Sequence, residues 1–401
     1  MKPLPHVLIL GAGYAGLMAA SRILRSREAN VTVITTRSRF EQRIRLHEVL
    51  TGRPVQSPSI RDWLGHRHAR LVTDRVLDID VVGKSVTTRT ARYAYDYLLF
   101  ALGSEVDRSA VPGAAQHAVF IDGQADTSAL SRRFRSLQDT GGNVVFVGAG
   151  LTNLESASEL AERFPALRIT LVSRGRLFDD FSDQGQRYLR FACRRLNIRL
   201  LEGREVQRVT ETAVMLTDGS RLEADLTVVA AGFRASGLGR QLTRSAPDIT
   251  LDPRGRIPCQ PDLSVGPDKT VWIAGDACHL AADNQRPYRM GCVLALPMGA
   301  HAGENIVRTI RGRETRDFRF GFMFRCISLG RRDALIQWTG RDDTPLAKVT
   351  TGHRAVRIKE WVCRLTCLAP KWELKTGLRL YRWPQPRNAD VHAEGGQYDA
   401  G

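Results

Sequence analysis

Two segments of the chain repeat one pattern of apolar, small and polar residues. Each begins with an apolar run, passes through a glycine-rich turn and enters an alanine-rich stretch with helical spacing, at residues 7–23 and 143–160. A second apolar run follows each segment, at Asn30–Thr35 and 168–173. A strand, a tight turn, an amphipathic helix and a second strand make a βαβ unit, so the pattern predicts two such units and an α/β fold.

The remaining apolar runs predict further elements. Strands are predicted at 97–103, 226–232 and 271–274, and a hairpin turn is predicted at Asp218 and Gly219.

The last quarter of the chain shows two more patterns. Phenylalanines alternate with period two at 318–324 and predict a strand, whereas the apolar spacing at 299–310 and 353–368 predicts helices. The polar, glycine-containing stretch 388–401 predicts a disordered tail.

The first glycine-rich turn has the spacing of a dinucleotide-binding fingerprint. Gly11, Gly13 and Gly16 lie between a strand and a helix. The first glycine permits the tight turn, the second lets a diphosphate approach the backbone, and the third lets helix and strand pack closely. The acidic residue that usually holds the ribose is absent, and Thr35 and Thr36 end the following strand instead.

Gly275 and Asp276 extend this prediction from a diphosphate to FAD. They follow the apolar run at 271–274, and an Asp at the carboxyl end of a strand, just before a helix, suits the ribitol chain of FAD.

The second glycine-rich turn predicts a nicotinamide nucleotide site. Asn153 replaces its third glycine, which should separate helix from strand. Arg174 and Arg176 follow the next strand and would suit a 2′-phosphate, which favours NADPH over NADH. An inherited fold that no longer binds nucleotide is the alternative for this half.

Composition narrows the class of protein. The chain has 401 residues, which predicts two or three domains. Its formal net charge is +17, and only seven of its 59 basic residues are lysines. The arginines are spread without a block of like charge, so a solvated surface is favoured over a nucleic-acid partner. The start of the chain lacks signal-peptide features, and no apolar run reaches membrane-spanning length, so a cytoplasmic protein is predicted.

The cysteines do not suggest a disulfide framework or a metal site. Their number, seven, is odd, and Cys363 and Cys367 stand alone as a helical pair without further ligands. We interpret that pair as structural.

With these motifs in order, the chain resembles the flavoproteins that interleave two dinucleotide-binding domains. The resemblance covers about residues 5 to 385, and segments 40–52, 295–306 and 328–337 are most similar to type II NADH dehydrogenases.

The resemblance implies two Rossmann-like domains and a C-terminal α+β segment. Residues 1–112 and 251–312 would form the FAD domain, with an NAD(P)H domain inserted at 113–250. Residues 313–387 would complete the active site or contact a membrane or a second copy, and 388–401 would follow as a disordered tail.

The resemblance also carries binding roles onto matching positions. The predicted FAD-binding residues are Gly11, Gly13, Tyr14, Ala15, Gly16, Thr35, Thr36, Arg45, Val76, Gly103, Gly275, Asp276, Pro297 and Met298. The predicted NAD(P)H-binding residues are Gly148, Gly150, Leu151, Thr152, Asn153, Glu155, Arg174, Arg176 and Gly232. His47 is the candidate catalytic residue, because a histidine beside the flavin can shuttle protons.

Two departures from the family narrow the reaction. The disulfide reductases of this fold carry a cysteine pair after the first βαβ unit or inside the NAD(P)H domain, and this chain has neither. Type II dehydrogenases carry glutamines near the flavin and the quinone, and those positions are Cys292, Val293, Pro297 and Met298 here. Electrons would therefore leave the flavin directly.

We predict an FAD-dependent oxidoreductase in which NADPH or NADH reduces the flavin and a quinone or quinone-like small molecule reoxidises it. The alternatives are a flavin oxidase that acts on its own organic substrate and a non-catalytic, redox-sensing flavoprotein. The predicted 353–368 helix carries a basic face of Arg354, Arg357, Lys359 and Arg364. That face would bind the inner surface of a membrane, meet a second copy, or pack on the protein itself.

Overall fold

The computed structural model describes residues 3–65, 69–122, 127–148, 150–230, 232–245, 249–280 and 288–385. The tail predicted at 388–401 lies outside these residues. The helices are α1 (Tyr14–Ser26), α2 (Leu46–Leu50), α3 (Ile60–Leu64), α4 (Ala114–His117), α5 (Thr127–Thr140), α6 (Leu151–Arg163), α7 (Asp183–Arg195), α8 (Gly239–Ser245), α9 (Cys292–Ile310) and α10 (Gly352–Thr376).

The strands fall into two large sheets and several small ones. The strands as far as the second βαβ unit are β1 (His6–Leu10), β2 (Asn30–Thr35), β3 (Ala69–Thr73), β4 (Val76–Asp80), β5 (Ser85–Thr88), β6 (Arg92–Ala94), β7 (Tyr97–Phe100), β8 (Ser104–Val106), β9 (Ala118–Phe120), β10 (Asn143–Val147), β11 (Arg168–Val172) and β12 (Ile198–Leu201). The later strands are β13 (Val206–Val209), β14 (Ala213–Leu216), β15 (Arg221–Glu223), β16 (Leu226–Val229), β17 (Phe233–Ala235), β18 (Ile257–Pro258), β19 (Ser264–Val265), β20 (Val271–Ile273), β21 (Cys278–His279), β22 (Phe324–Ser328), β23 (Ala334–Thr339) and β24 (Pro345–Thr351).

The first large sheet has the order β19-β20-β7-β1-β2-β3. Its central strands are parallel, and β1 and β7 are buried along nearly their whole length, which explains their continuous apolar runs. Strand β20 pairs in parallel with β7, so that Val271 lies opposite Leu98 although it comes 173 residues later in the chain. The chain therefore leaves this sheet after β7 and returns to it at β20.

The second large sheet is built entirely from the intervening residues. Its order is β12-β11-β10-β16-β9, and each neighbouring pair is parallel. Helices α5, α6 and α7 share a hydrophobic core with this sheet. They contribute Phe134, Leu160 and Leu189, respectively, among other residues. Each large sheet thus contains one of the two βαβ units predicted from the repeat.

Close packing of α9 against α1 depends on two glycines. A Cβ on Gly299 would lie 2.6 Å from the Cα of Ala15, and one on Gly303 would lie 2.7 Å from the carbonyl oxygen of Ala19. Helix α9 therefore lies close against α1. This helix begins at Cys292 rather than at the predicted residue 299, and it accommodates Pro297 within its second turn.

The prediction of a strand at 318–324 is wrong. Phe318, Phe320 and Phe322 are buried while Arg319 is exposed, so the alternation of burial is real. The segment nevertheless lacks a ladder and makes isolated backbone bonds, for example from Phe318 N–H to the carbonyl of Pro261 (2.8 Å). Only Phe324 enters a strand, β22.

The C-terminal part is a three-stranded antiparallel sheet, β22-β23-β24, followed by α10. Helix α10 runs eight residues beyond the predicted end at residue 368 and continues through Pro370. Within the described residues, no helix combines the length and the apolar character needed to cross a membrane.

We predict that Gly299→Ala destabilises the protein by about 1–3 kcal/mol, because the added methyl group must force α1 and α9 apart. Chemical denaturation of the two proteins measures the difference. Gly237→Ala is the matched control, since its Cβ would meet nothing within 4 Å. Equal losses of stability in both variants would contradict the packing argument.

Candidate functional site

The first glycine turn leaves an open cradle at the N-terminus of α1. Gly11 has a φ of +102°, and its N–H donates to the carbonyl of Ile34 (2.8 Å). Side chains at Gly11 and Gly16 would collide with the carbonyl oxygens of Ala101 and Gly11 respectively. A Cβ on Gly13, by contrast, would meet nothing within 4 Å. The turn is therefore closely packed against the backbone at Gly11 and Gly16 and open at Gly13, and this opening has the shape that admits a diphosphate.

The electrostatics of this helix end also suit an anion. Gly13 is the N-cap of α1 and, in the described chain, no side chain caps the helix and its first turn holds no acidic residue. The first N–H groups of a helix have no partner within the helix, and the helix dipole adds positive potential there. The residues present therefore fit the diphosphate of FAD.

Asp276 lies at the carboxyl end of the same sheet. It is part of a short 3₁₀ turn, Gly275–Ala277, that follows β20. Its Oδ2 accepts a hydrogen bond from Ser104 Oγ (2.6 Å) and its Oδ1 accepts one from Gly291 N–H (2.7 Å). The expected position just before a helix is not observed, because β21 intervenes before α9, yet the carboxylate still binds the N-cap residue of that helix.

The structure places the other residues predicted to bind FAD on several different elements. Thr35 ends β2 and Thr36 follows it, Val76 begins β4, and Gly103, three residues past the end of β7, takes a φ of +71°. The remaining members lie inside helices: Tyr14 and Ala15 are buried in α1, and Pro297 and Met298 are buried in α9.

Arg45 is already engaged by carboxylates. Its guanidinium lies 2.7 Å from Glu48 Oε1 and 2.7 Å from Glu360 Oε1. In this structure the side chain thus links α2 to α10, and the assignment of Arg45 to FAD stays a prediction.

The second glycine turn opens α6 in the same way. Gly148 has a φ of +114°, and Gly150 is the N-cap of a helix without a side-chain cap in the described chain. Leu151 and Thr152 are half-buried in its first turn, and Gly232, after β16, has a φ of +72°.

Asn153 does not act as its size predicts. Its side chain is fully buried, and Nδ2 donates to the carbonyls of Val147 (2.7 Å) and Gly148 (3.0 Å). The amide occupies the place of the third glycine and connects helix to strand instead of only separating them. The expectation that Asn153 separates helix from strand counted the volume of the side chain and not the hydrogen bonds of its amide.

Arg174 and Arg176 follow β11 and project into solvent. Their side chains are 82% and 77% exposed, and their nearest carboxylates, Glu205 and Asp179, lie 3.7 and 3.8 Å away. Ion pairs this exposed hold a side chain weakly. Both guanidinium groups thus remain available to a phosphate.

Glu155 belongs to a buried ionic cluster that also contains His47, Glu48, Glu159, Arg331 and Lys359. Lys359 Nζ donates to Glu155 Oε1 (2.5 Å), which also accepts the N–H of Ser328 (3.0 Å). Glu155 was predicted as an NAD(P)H residue, but here it contacts the C-terminal part of the chain.

Of the alternatives predicted for the basic face of α10, Lys359 follows the one in which the face packs on the protein itself. Lys359 is 7% exposed, because it lies one turn from buried Ala355 and buried Cys363 on the inner side of α10. Burial disfavours its charge, but Cys326 and Glu155 outweigh that effect and raise the pKa of Lys359. Burial alone would raise the pKa of Glu155, yet Lys359 and His47 bring it below its ordinary value. The pair is therefore charged.

His47 lies at the edge of the same cluster. Its Nδ1 is 3.8 Å from Glu155 Oε2, and its Nε2 has no hydrogen-bond partner among the described residues. Burial lowers the pKa of His47 to about 4, so the imidazole is neutral at pH 7. A neutral buried imidazole with one free nitrogen can accept or deliver a proton.

Arg331 joins the remaining carboxylates of the cluster. Its guanidinium lies 3.2 Å from Glu48 Oε2 and 2.5 Å from Glu159 Oε1. The cluster thus brings together α2, α6, the turn between β22 and β23, and α10.

Sequence reasoning missed the buried ionic cluster, and it also missed a pair of neighbouring thiols, Cys259 and Cys278. Cys259 Sγ lies 3.0 Å from Cys278 Sγ, although 19 residues separate them. The neighbouring Cys278 and burial raise the pKa of the Cys259 thiol well above its ordinary value, so the reactive thiolate is disfavoured. Among the described residues, no group of acidic, histidine or cysteine side chains is arranged to hold a metal ion.

Comparison with known proteins identifies the class. Residues 5–299 match the model of the pyridine nucleotide-disulphide oxidoreductase family, so the chain belongs to that family. Membership confirms the predicted fold class and supports the predicted cofactors, FAD with NADH or NADPH.

Particular relatives refine the likeness. An NADH dehydrogenase-like protein of Mycobacterium tuberculosis is 29% identical over 354 residues, which is 82% of this chain and 87% of that protein. A type II NADH:quinone oxidoreductase of Staphylococcus epidermidis is 26% identical over 377 residues, which is 84% of this chain and 90% of that protein. The predicted resemblance to type II NADH dehydrogenases is thereby confirmed.

Solved structures share the fold at lower identity. The sulfide:quinone oxidoreductase of Aquifex aeolicus has a TM-score of 0.78 at 17% identity, covering 93% of this chain and 92% of that one. NDH2 of Plasmodium falciparum in complex with NADH has a TM-score of 0.76 at 13% identity, covering 94% and 97%.

We predict that Lys359→Met destabilises the protein by about 3–5 kcal/mol, because Glu155 would be left buried without its countercharge. The double variant Glu155→Gln/Lys359→Met should recover most of that loss, since neither charge remains. Denaturant unfolding of both single variants and the double variant closes the cycle. Additive losses in the double variant would mean that the two side chains do not interact.

Proposed function

We propose that this protein is an FAD-dependent oxidoreductase that takes electrons from NADPH or NADH and passes them through the flavin to a quinone or quinone-like small molecule. The observation that carries the proposal is the repeated glycine turn, at Gly11 and again at Gly148, each opening a helix after a parallel strand. Two nucleotide cradles in one chain suit a donor and an acceptor of electrons. Relatives named NADH:quinone oxidoreductases support the same reaction.

The residues of the first cradle would bind and orient FAD. When bound, FAD supplies the redox chemistry, and the protein supplies position and electrostatics. The N-terminus of α1 would bind the diphosphate, while Asp276, held by Ser104 and Gly291, would accept a hydrogen bond from the ribitol.

The second cradle would bind the nicotinamide nucleotide. The N-terminus of α6 would receive its diphosphate, and the weakly paired, exposed guanidinium groups of Arg174 and Arg176 would contact a 2′-phosphate. This arrangement favours NADPH over NADH.

The buried ionic cluster would supply protons to the acceptor. Reduction of a quinone to a quinol consumes two protons. His47 offers its unpartnered Nε2 as the proton-transferring atom, with Glu155 behind it. A cavity of about 20 Å³ beside Glu48 and Lys359 has room for one water molecule and would connect the cluster to solvent.

We assign no redox-active disulfide to this path. The thiolate is the species that attacks in thiol exchange, and the raised pKa of Cys259 disfavours it. Electrons would leave the flavin for the acceptor directly.

The deciding experiment is anaerobic stopped-flow mixing of the FAD-loaded protein with each nucleotide. We expect NADPH to bleach the flavin about tenfold faster than NADH at subsaturating concentration, since one charge-assisted contact carries roughly that factor. Arg174→Gln should remove most of the preference, whereas Arg208→Gln, an exposed arginine on β13, should retain it.

The second half of the experiment mixes the reduced protein with acceptors. We expect a soluble naphthoquinone to reoxidise the flavin faster than oxygen does. Failure of both nucleotides to bleach the flavin would overturn the proposal in favour of an oxidase that uses its own organic substrate.

We further propose that this is a cytoplasmic protein that rests on the inner face of a membrane through α10. Trp361 and Trp372 are 62% and 48% exposed, and they lie on one side of the helix because eleven residues complete three turns. Exposed Arg364 and Lys375 accompany them. Tryptophan beside basic residues is typical of helices that lie in a membrane interface.

We predict that Trp361→Ser/Trp372→Ser lowers co-sedimentation with phosphatidylglycerol vesicles at least fivefold, because neither side chain can then insert an indole ring into the membrane interface. Phe191→Ser is the control, since Phe191 is an aromatic residue, 51% exposed, on a different helix, α7. Unchanged sedimentation of the tryptophan variant would exclude this face as the membrane contact.

A further inference from the structure

A cavity of about 490 Å³ lies away from both glycine turns. Four segments form it: the C-terminal end of α1, the second half of α9, residues 311–319 and residues 379–385. Eight of its sixteen described lining residues are arginines, and two, Glu304 and Asp317, are acidic. We call it the arginine cavity.

Ion pairs neutralise only part of this charge. Glu304 lies 2.7 Å from Arg22 and 3.0 Å from Arg379, and Arg22 also pairs with buried Glu373. Arg311 pairs with Glu28. The other five arginines have no carboxylate within 4.0 Å among the described residues; they are Arg25, Arg308, Arg313, Arg316 and Arg319. One wall of the cavity therefore carries several uncompensated positive charges at close quarters.

The backbone that carries these arginines is fixed. The carbonyl of Arg316 accepts hydrogen bonds from His301 Nε2 (2.7 Å) and Asn305 Nδ2 (2.8 Å), and its N–H donates to Asn305 Oδ1 (3.0 Å). Arg313 N–H donates to the carbonyl of Arg308 (2.8 Å). His301 and Asn305 are buried, so the segment is anchored from below although it has no regular secondary structure. Because folding already holds this backbone in place, a ligand that binds the arginines does not have to order the segment, which lowers the free-energy cost of binding.

We propose that the arginine cavity binds a soluble ligand that carries two or more linked phosphate groups. A guanidinium group can donate two hydrogen bonds to one phosphate, and five arginines without a carboxylate partner exceed what one phosphate can contact. Of the five, Arg308 already donates from Nε to the carbonyl of Glu314 (2.5 Å). The volume lies within the range of small-molecule sites. A concave cavity suits a compact anion better than it suits a planar membrane.

The site is separate from the two nucleotide cradles. Those bind anions through helix N-termini, whereas the arginine cavity takes Arg25 and Ser26 from the last turn of α1. Its test consequently does not depend on the proposed electron transfer and reads binding alone.

The experiment is isothermal titration of the full-length, FAD-loaded protein with inorganic tripolyphosphate at about 50 mM salt. We expect Arg313→Gln/Arg316→Gln to weaken binding at least tenfold, since each lost contact is charge-assisted. Orthophosphate should bind at least tenfold more weakly than tripolyphosphate. Arg61→Gln/Arg89→Gln is the control with the same change of charge on exposed residues elsewhere, and it should bind like the unmodified protein.

A second variant guards against a folding defect. Arg25→Gln/Arg319→Gln changes different segments of the same wall and should weaken tripolyphosphate binding by a similar factor. Equal affinity in the unmodified protein and both cavity variants would overturn the proposal, as would an equal loss in the control. Vesicle arms use phosphatidylglycerol and phosphatidylcholine. If the cavity variants sediment with phosphatidylglycerol vesicles as the unmodified protein does, the ligand of the cavity is a soluble one. If the cavity variants lose this sedimentation and the unmodified protein binds no tripolyphosphate, the proposal of a soluble ligand is overturned.

Discussion

The buried ion pair between Glu155 and Lys359 is the constraint on which the central part of this molecule depends. Glu155 is on α6 of the second sheet, and Lys359 is on α10 at the end of the chain. A charge removed from water without its partner is strongly destabilising, so either residue alone would oppose folding. Together with the N–H of Ser328, the pair fixes where α10 lies on the rest of the protein.

This constraint also determines the properties of His47. The imidazole lies within 3.8 Å of Glu155 but remains neutral, because Lys359 already balances the carboxylate and burial disfavours a further charge. A histidine that stays neutral near charged groups keeps a nitrogen free for proton transfer. The arrangement therefore links the docking of the C-terminal helix to the proton transfer proposed for His47.

The local parts of this architecture could be predicted from the sequence. Gly11, Gly13 and Gly16 each have a steric reason that belongs to a single strand–turn–helix unit, and the structure shows the collisions that other residues would cause at Gly11 and Gly16. The same reasoning recognised both βαβ units, whereas the return of the chain to the first sheet at β20 was implied only by the family resemblance. Such features depend on neighbours within about thirty residues or on a repeated motif.

Features that depend on tertiary contacts were harder to predict. The phenylalanines at 318–322 alternate like a strand because one side of the segment faces the core, but the segment makes only scattered backbone hydrogen bonds and belongs to none of the sheets formed by the described residues. In the sequence, the only indication that Lys359 is buried is its helical spacing from Ala355 and Cys363. The two outcomes share one cause. Periodicity reports which side of an element is covered, and it does not report what covers it. A charged residue within the covered stripe therefore implies a partner elsewhere in the chain, and Glu155 supplies that partner at a distance of 204 residues.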